Sequence, residues 1–253
     1  MLEKSSLSIY FVTHNGATTV RKAIDSLIKT GRCPSSFVIN NGCHQGHHRA
    51  MKDCPIPQIS FDRNLPLATV WNKAILFSKT PYVCISNDDV LFEEDWLEKA
   101  RKAFEQKGIH QVNMAYPMSS YSCFILHKRL IAKIGWFDPR FPTYCWEDED
   151  WHLRMQEYAK KEKVNYPVAF TEAVNADKRL RIKDHLIWGK DFYKADGNKE
   201  FFHKKWKKVP ATEPGLDPKS HVLKGKIRYV RVLDEVDPWP DVTKDLISRY
   251  GVC

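Results

Sequence analysis

The chain has 253 residues and a hydrophobic content of 43%, enough for a substantial core in one large α/β domain or in one domain with an appendage. No run of about 18 consecutive apolar residues occurs, so we expect no membrane-spanning helix. The net charge of +9 is uneven: 16 lysines and arginines face six acidic residues between Lys178 and Arg231. This basic C-terminal third could attract nucleic acid, an anionic lipid surface or the phosphates of a substrate.

The cysteines and the N-terminal residues indicate the cellular compartment in which the protein is expected. Seven cysteines are scattered without a CxxC pair, which is typical of a protein from a reducing compartment. The N-terminal residues lead directly into a strand-like segment and lack the basic, apolar and small-residue succession of a signal peptide. We therefore expect a cytoplasmic protein, whose basic region could touch a membrane surface as a peripheral contact.

Strand-like and helix-like segments alternate along the first two thirds of the chain. This alternation predicts a largely parallel α/β sheet flanked by helices. The predicted strands are 7–13, 37–39, 58–61, 82–85, 112–116, 123–126 and 166–170, with a further strand at 229–232. The first predicted helix begins at Thr18 or Thr19. Further helices are predicted at 67–77, at 95–107, at 127–134 and from the acidic residues at 147–150 to residue 163.

An amide and two adjacent carboxylates follow the predicted strand 82–85, namely Asn87, Asp88 and Asp89. Adjacent carboxylates repel one another unless a cation or an array of donors neutralises them, and a divalent ion with oxygen ligands is the usual solution. The sequence therefore predicts Asp89 as a metal ligand. The alternative is a helix N-terminus, where aspartate is favoured by capping and by the helix dipole.

A second acidic cluster, Glu147 to Asp150, lies between Trp146 and Trp151. Large aromatic side chains on both sides indicate that the carboxylates are partly enclosed, and enclosure among like charges raises a carboxylate's pKa. A raised pKa suits a general base. The alternative is an exposed acidic first turn of a helix.

Polar residues also follow the first two predicted strands. In open α/β sheets, ligands bind beyond the carboxyl ends of the strands, where the sequence places His14, Asn15, Asn40 and Asn41. The chain contains no GxGxxG and no GxxxxGK[ST] sequence, which argues against a dinucleotide-binding dehydrogenase or a P-loop enzyme.

Five passages carry the most distinctive polar residues, in the order IYFVTHNG, INNGCHQG, RNLPLATVWNKAI, ISNDDVLF and GWFDPRFPTYCWEDEDWHLR. In this order they resemble the motifs of the large second family of inverting glycosyltransferases, which have the GT-A nucleotide-sugar-binding fold. The likeness runs from about Leu7 to Trp206. It implies a Rossmann-like, mixed but mostly parallel sheet flanked by helices in a catalytic domain of residues 1–208, followed by a basic C-terminal extension or arm of residues 209–253.

The resemblance implies transfer of a sugar from a nucleoside diphosphate sugar to a hydroxyl with inversion, assisted by Mn²⁺ or Mg²⁺. Asp148 matches the family's general base, with Glu147 and Asp150 as supporting groups. Asp89 matches the metal ligand, and His185 is placed like a late histidine that helps bind the metal or the diphosphate. The implied donor-binding residues are Thr13, Asn15, Asn40, Asn41, Asn64, Asn72, Asn87 and Asp88.

The sequence also departs from the family pattern. Asn40 replaces an aspartate that usually contacts the uracil or ribose, so we expect base recognition to differ. Asn87 replaces the first aspartate of the metal motif, and two glycines of the pattern are replaced as well. Lys205 and Trp206 resemble a K-W segment near the end of the family's domain, where packing of the tryptophan is the expected role.

Other functions stay open beside the metal-dependent glycosyltransferase. Carboxylates with a basic arm also suit a metal-dependent nuclease, and acidic groups with a merely structural role would leave a noncatalytic binding module. For the acceptor we expect a glycan, a lipid-linked sugar or a protein, and the alternative is DNA that carries hydroxylated bases, as in viral DNA glucosylation. The C-terminal arm is long enough to cover a neighbouring subunit, so a homo-oligomer is a further alternative.

Overall fold

The computed structural model describes residues 1–31, 34–115, 121–176, 196–208, 215–216, 223–224, 229–233 and 235–250. The strands are β1 Leu7–Thr13, β2 Ser35–Asn41, β3 Gln58–Phe61, β4 Tyr82–Asn87, β5 Val90–Phe92, β6 Gln111–Asn113, β7 Cys123–His127, β8 Val168–Phe170, β9 Val174–Ala176, β10 Trp206–Lys208, β11 Gly215–Leu216, β12 Leu223–Lys224 and β13 Tyr229–Arg231. The α-helices are α1 Ala17–Lys29, α2 Gln45–Ala50, α3 Leu67–Phe77, α4 Trp96–Phe104, α5 Arg129–Ile134, α6 Glu147–Glu162, α7 Asp196–Lys205 and α8 Pro240–Tyr250.

Seven strands form the central sheet in the order β3-β2-β1-β4-β7-β6-β8. Neighbouring strands pair in parallel except where β7 meets β4 and β6, so only β7 runs against the others. The predicted fold class, a mixed and mostly parallel α/β sheet flanked by helices, is confirmed. The carboxyl ends of β1, β2 and β4 therefore lie side by side at one edge, which is the usual ligand-binding edge of such a sheet.

Both faces of the sheet are covered, which explains the continuous apolar run of β1. Ile9 and Phe11 point into a core formed with α1 and α4. Tyr10 and Val12 alternate with them and point into a second core, which contains side chains of α3, α5 and α6. The sheet thus holds α6, with its acidic first turn, on the opposite face from α1.

The structure corrects the predicted elements in several places. β3 and α3 have the predicted bounds, whereas β6 is a shorter strand than the predicted 112–116. The short antiparallel pair β5 and β9 was not predicted, because three-residue strands carry too little periodicity. Helix α8 was not predicted; it begins at Pro240, a residue that is well tolerated at the first helical position.

Residues beyond 208 return to the sheet domain. β13 pairs with β10, and α8 packs on α5. Leu246 of α8 is buried in the second core, the ring of Trp239 lies 4.9 Å from that of Trp136, and Trp136 Nε1 donates to Thr243 Oγ1 at 2.8 Å. None of the described helices is both long and apolar enough to span a lipid bilayer.

Candidate active site

The end of β1 is tied to the residues that follow β4. Thr13 Oγ1 donates a hydrogen bond to Asp88 Oδ2 at 2.6 Å. The Asp88 carboxylate also lies against Gly16, where an added Cβ would come within 2.2 Å of Asp88 Oδ2. Any larger residue at position 16 would displace this carboxylate. Asp89, next to it, is buried.

Asn15 connects the β1 end to the segment after β2. Its φ of 65° lies in the left-handed region, which asparagine tolerates better than most residues. Its backbone N–H donates to Cys43 Sγ at 3.2 Å, and its Oδ1 accepts from the backbone N–H of His44 at 2.8 Å. Burial raises the pKa of Cys43. The hydrogen bond from Asn15 lowers this pKa and the nearby charge of Asp88 raises it, and the net shift is upward. Asn15, Cys43 and Asp88 are therefore neighbours at this edge.

Asn40 is fully buried and its amide is engaged within the protein. Its Nδ2 donates to Gln58 Oε1 at 3.0 Å, and its Oδ1 lies 2.9 Å from His47 Nε2. These contacts join β2 to β3 and α2. A contact between Asn40 and a nucleoside stays a prediction.

Asn41 and Asn72 also hold parts of the edge together. Asn41 Nδ2 donates to Asn64 Oδ1 at 2.8 Å, and its Oδ1 accepts from the backbone N–H of Leu65 at 2.9 Å. Asn72 is fully buried and exchanges two hydrogen bonds with the backbone of Phe137, at 2.7 and 3.0 Å. Both side chains therefore fix loops around the edge, and their predicted donor contacts stay untested.

The second acidic cluster forms the first turn of α6, where carboxylates face the positive end of the helix dipole. The chain enters this turn through two consecutive residues with positive φ, Cys145 at 68° and Trp146 at 72°. Such conformations cost free energy for residues other than glycine, persist only where the surroundings fix them, and concentrate at functional sites. The predicted enclosure is confirmed, because Glu147 and Asp150 are buried.

Burial raises the pKa values of three carboxyl groups in this turn. The pKa of Glu147 lies well above its usual range because of burial and then of the charge of Asp148, and Glu147 Oε2 has no hydrogen-bond partner among the described residues. Burial and the charge of Asp148 raise the pKa of Glu149 to about 8. Burial also raises the pKa of Asp148. The backbone N–H of Glu149 donates to Asp148 Oδ1 at 3.0 Å, and this hydrogen bond lowers the pKa by a smaller amount.

Tyr121 and Ser122, just before β7, contact both the end of β4 and helix α6. The backbone N–H of Asn87 donates to the carbonyl of Ser122 at 2.8 Å. Tyr121 is buried, and its pKa is raised well above the usual range by burial first and then by neighbouring groups that include Asp148 and Glu149. The ring of Tyr121 also packs on that of His152 in α6, with centroids 5.0 Å apart. The end of β4 and helix α6 therefore both contact this dipeptide.

A third group of carboxylates, Asp138, Asp150 and Glu235, offers oxygen atoms within 4.8 Å of one another, a spacing that a metal ion could use. The ammonium group of Lys205 lies among them, at 2.9, 2.6 and 2.8 Å respectively. Burial alone would raise the pKa of Asp138, but hydrogen bonds from Arg140 and the charge of Lys205 outweigh it and lower the pKa to about 2. This group therefore already has its cation, and we do not assign a metal to it.

The structure brings together one set of predicted residues at the strand ends, namely Thr13, Asn15, Asn41, Asn64, Asn87, Asp88 and Asp89, and a second set in α6, namely Glu147, Asp148 and Asp150. His185 lies outside the described residues. Sequence reasoning missed Cys43, although it follows β2 directly, and Tyr121, for which the sequence carried no signal. It also assigned Lys205 no partners, because Asp138, Asp150 and Glu235 are distant along the chain.

Residues 8–176 match the model of the family described as Glycosyl transferase family 2. The chain belongs to this family. No curated protein sequence matches it significantly. One similar solved structure is the mannosyltransferase PcManGT from Pyrobaculum calidifontis in complex with GDP-Man and Mn²⁺, at 15% identity and a TM-score of 0.51, covering 65% of this chain and 54% of that one. Another is glucosyl-3-phosphoglycerate synthase from Mycobacterium tuberculosis in complex with Mn²⁺, UDP and glucosyl-3-phosphoglycerate, at 10% identity and a TM-score of 0.55, covering 94% and 92%.

The structural similarity, at TM-scores of 0.51 and 0.55, shows that this chain shares the GT-A fold of both structures. The chain spans about half the length of the mannosyltransferase. The residues after β4 fit a divalent cation on their own chemistry. Asp88 and Asp89 supply hard oxygen ligands of the kind that Mg²⁺ and Mn²⁺ prefer. Thr13 and Gly16 hold Asp88 in one place, so this part of the site is pre-organised.

Proposed function

We propose that this protein transfers a sugar from a nucleoside diphosphate sugar to an acceptor hydroxyl, with inversion at the anomeric carbon and with Mn²⁺ or Mg²⁺ as cofactor. The observation that carries the proposal is that the end of β4, directly before Asp88 and Asp89, and helix α6, whose first turn is the second acidic cluster, both contact the dipeptide Tyr121 and Ser122 inside the segment that matches the family. One cluster offers oxygen ligands for a cation, and the other offers carboxyl groups with raised pKa values.

Asp148 is the proposed general base, because the acceptor hydroxyl must lose a proton as its oxygen attacks. Its raised pKa makes its carboxylate more basic than that of an exposed aspartate. Burial raises the pKa of the neighbouring Glu147 well above its usual range, which favours its neutral form and so limits negative charge beside the base. Asp89, with Asp88 beside it, would hold the divalent cation, which neutralises negative charge on the diphosphate leaving group.

Inversion is the stereochemical course that we propose, because the reaction then needs only one carboxylate. A single displacement needs one base on the side of the acceptor, and Asp148 supplies it. Retention through a covalent intermediate would need a carboxylate nucleophile on the opposite face of the sugar. The anomeric configuration of the product, read from its proton coupling constant by NMR, tests this part of the proposal.

The proposed donor site is the edge formed by the ends of β1, β2 and β4. Thr13 is hydrogen-bonded to Asp88 there, Asn15 follows the end of β1, and Asn87 directly precedes Asp88. Similar structures hold GDP-Man in one case and UDP in the other, so the nucleoside has to be found by experiment. For the acceptor we propose a glycan, a lipid-linked sugar or a protein.

A panel of nucleotide sugars tests the function, with thermal unfolding and donor hydrolysis measured with and without Mn²⁺. We expect one donor to raise the unfolding temperature only when the metal is present. We expect Asp89→Asn to remove this metal-dependent shift, whereas Asp25→Asn, the same change at an exposed position of α1, should keep it. If no nucleotide sugar stabilises the wild-type protein at any metal concentration, the proposed function is wrong.

A further inference from the structure

A buried ammonium group lies behind the acidic turn of α6. Lys205, the last residue of α7, is fully buried, and its Nζ contacts Asp138 Oδ2, Asp150 Oδ1 and Glu235 Oε1 within 3 Å. A buried charge that has lost its hydration has to be balanced by groups of opposite charge at fixed positions. The three carboxylates come from three parts of the chain: the loop after α5, the first turn of α6 and the segment after β13.

Asp150 is fixed by more than this one contact. Its Oδ1 also accepts from Trp206 Nε1 at 2.7 Å, and its Oδ2 accepts from Arg154 Nε at 3.0 Å. Both oxygens of Asp150 are therefore held by charged or polar donors. Because Asp150 lies two residues after Asp148 in the same helical turn, this arrangement fixes the backbone that carries Asp148 from its C-terminal side.

α7 fixes the same turn from its N-terminal side. Asn198 is buried, its Oδ1 accepts from the backbone N–H of Thr143 at 3.0 Å, and its Nδ2 donates to the carbonyl of Cys145 at 2.7 Å. The ring of Trp146 packs on Phe202 at a centroid distance of 5.1 Å. These contacts hold the two residues with positive φ through which the chain enters α6.

We propose that Lys205 and Asn198 of α7 are positioning residues for the general base Asp148. Together they fix the residues on both sides of Asp148, and they belong to a helix outside the segment 8–176 that matches the family. They act through Asp150 and Cys145. This inference rests on the proposed function, because it assigns Asp148 the role of base.

The test compares Lys205→Met with Lys204→Met, the same change at the exposed neighbouring position. We expect Lys205→Met to lower kcat at least tenfold while KM and Kd for the donor change less than threefold, because the proposed donor site lies at the ends of β1, β2 and β4. Lys204→Met should keep the wild-type kcat. Lys205→Met removes the cation that three acidic groups share, so Asn198→Ala is the second variant. It removes the contacts with Thr143 and Cys145 and changes no charge.

Hydrogen exchange of the peptide that spans residues 144–152 gives a readout independent of turnover. We expect Lys205→Met and Asn198→Ala to speed its exchange at least fivefold, with unchanged exchange in β1 and no effect of Lys204→Met. The inference is overturned if the two variants leave this exchange unchanged, or if kcat falls only in proportion to the folded fraction. If the peptide loosens in the variants but the wild-type protein transfers no sugar, the proposed function fails and the role of α7 is structural.

Discussion

At the scale of single residues, Asp148 carries the proposed proton transfer. Replacing it with asparagine keeps its size and removes the base, so we expect kcat to fall by about 10²–10⁴, the usual contribution of a positioned general base. Donor affinity should stay within a few-fold of the wild-type value, because the donor site lies on the β1 and β4 side. Initial rates and donor titrations measure both quantities. Glu162→Gln, at the exposed end of the same helix, is the control, and full activity of Asp148→Asn would assign the base elsewhere.

Gly16 gives a prediction for the other acidic cluster. A Cβ at this position would lie 2.2 Å from Asp88 Oδ2 and 2.6 Å from Thr19 Oγ1, so Gly16→Ala has to displace Asp88 or shift α1. We expect a loss of about 1–3 kcal/mol in the free energy of unfolding, typical of overpacking, and a higher Mn²⁺ concentration for half-maximal transfer. Denaturant unfolding and metal titration measure these effects.

Gly197 of α7 provides the matched control for Gly16. A Cβ there would meet only Pro142 Cγ at 3.7 Å, an ordinary contact, so Gly197→Ala should leave stability unchanged or slightly higher. Equal behaviour of the two alanine variants would show that Asp88 is not held against Gly16.

The carboxyl group of Glu149 makes stability depend on pH. Its pKa rises from 4.5 in the unfolded chain to about 8 in the folded protein, so the folded protein binds this proton more tightly. The contribution of this proton to the free energy of unfolding is therefore fully present below pH 4.5 and is lost as the pH rises from 4.5 to 8, because the unfolded chain releases the proton first. We expect the unfolding temperature, measured between pH 5 and 8 in metal-free buffer, to fall less steeply with pH in Glu149→Gln than in the wild type. Parallel curves for the two proteins would contradict the raised pKa.

At the scale of elements, α8 is expected to be part of the folded domain. Leu246 is 5% exposed and packs in the second core, whereas its neighbour Ile247 is 39% exposed. Leu246→Ala should cost about 2–5 kcal/mol in the free energy of unfolding, the usual range for a buried leucine. Ile247→Ala should change it by less than about 0.5 kcal/mol. Denaturant unfolding of the two variants distinguishes a packed helix from a loose arm, for which both changes would be small.

Elements with a strong pattern could be predicted from the sequence, and those that depend on distant contacts could not. The apolar run of β1 and the helical spacing of α3 gave the observed bounds. α7 buries the polar residues Asn198 and Lys205 beside Phe202, so its apolar periodicity is weak. Tertiary packing decides such segments more than local pattern does. α8 does carry a helical apolar spacing, at Val242, Leu246 and Tyr250, which the sequence analysis missed.

The candidate site was predictable to the extent that strand ends define it. Asp88, Asp89 and Asn15 could be placed together because parallel strands bring their carboxyl ends to one edge. The sequence alone did not indicate that Asn40 and Asn72 are buried among protein partners. It also could not pair Lys205 with Asp150, 55 positions away, because the contact depends on how α7 crosses α6.

At the scale of the whole molecule, the residues after 208 complete the charge balance of the interior. Glu235 is the third carboxylate around Lys205, with a side chain that is 21% exposed. Arg231 Nε also lies 3.4 Å from Glu235 Oε1. Side chains on both sides of the predicted domain boundary at residue 208 are therefore in contact with one another.

A fragment of residues 1–208 tests how far the domain depends on its C-terminal residues. Its loss of β13 and α8 exposes the apolar surface under Leu246 and Trp239, and Lys205 loses one of its three carboxylates. We expect the unfolding temperature to fall by about 10 °C or more, since a few kcal/mol of lost burial shifts it by this amount in a protein of this size. Glu235→Gln in the full chain isolates the electrostatic part of the loss and should have a smaller effect. A fragment as stable as the full chain would make the C-terminal residues a dispensable arm, free to cover a neighbouring subunit.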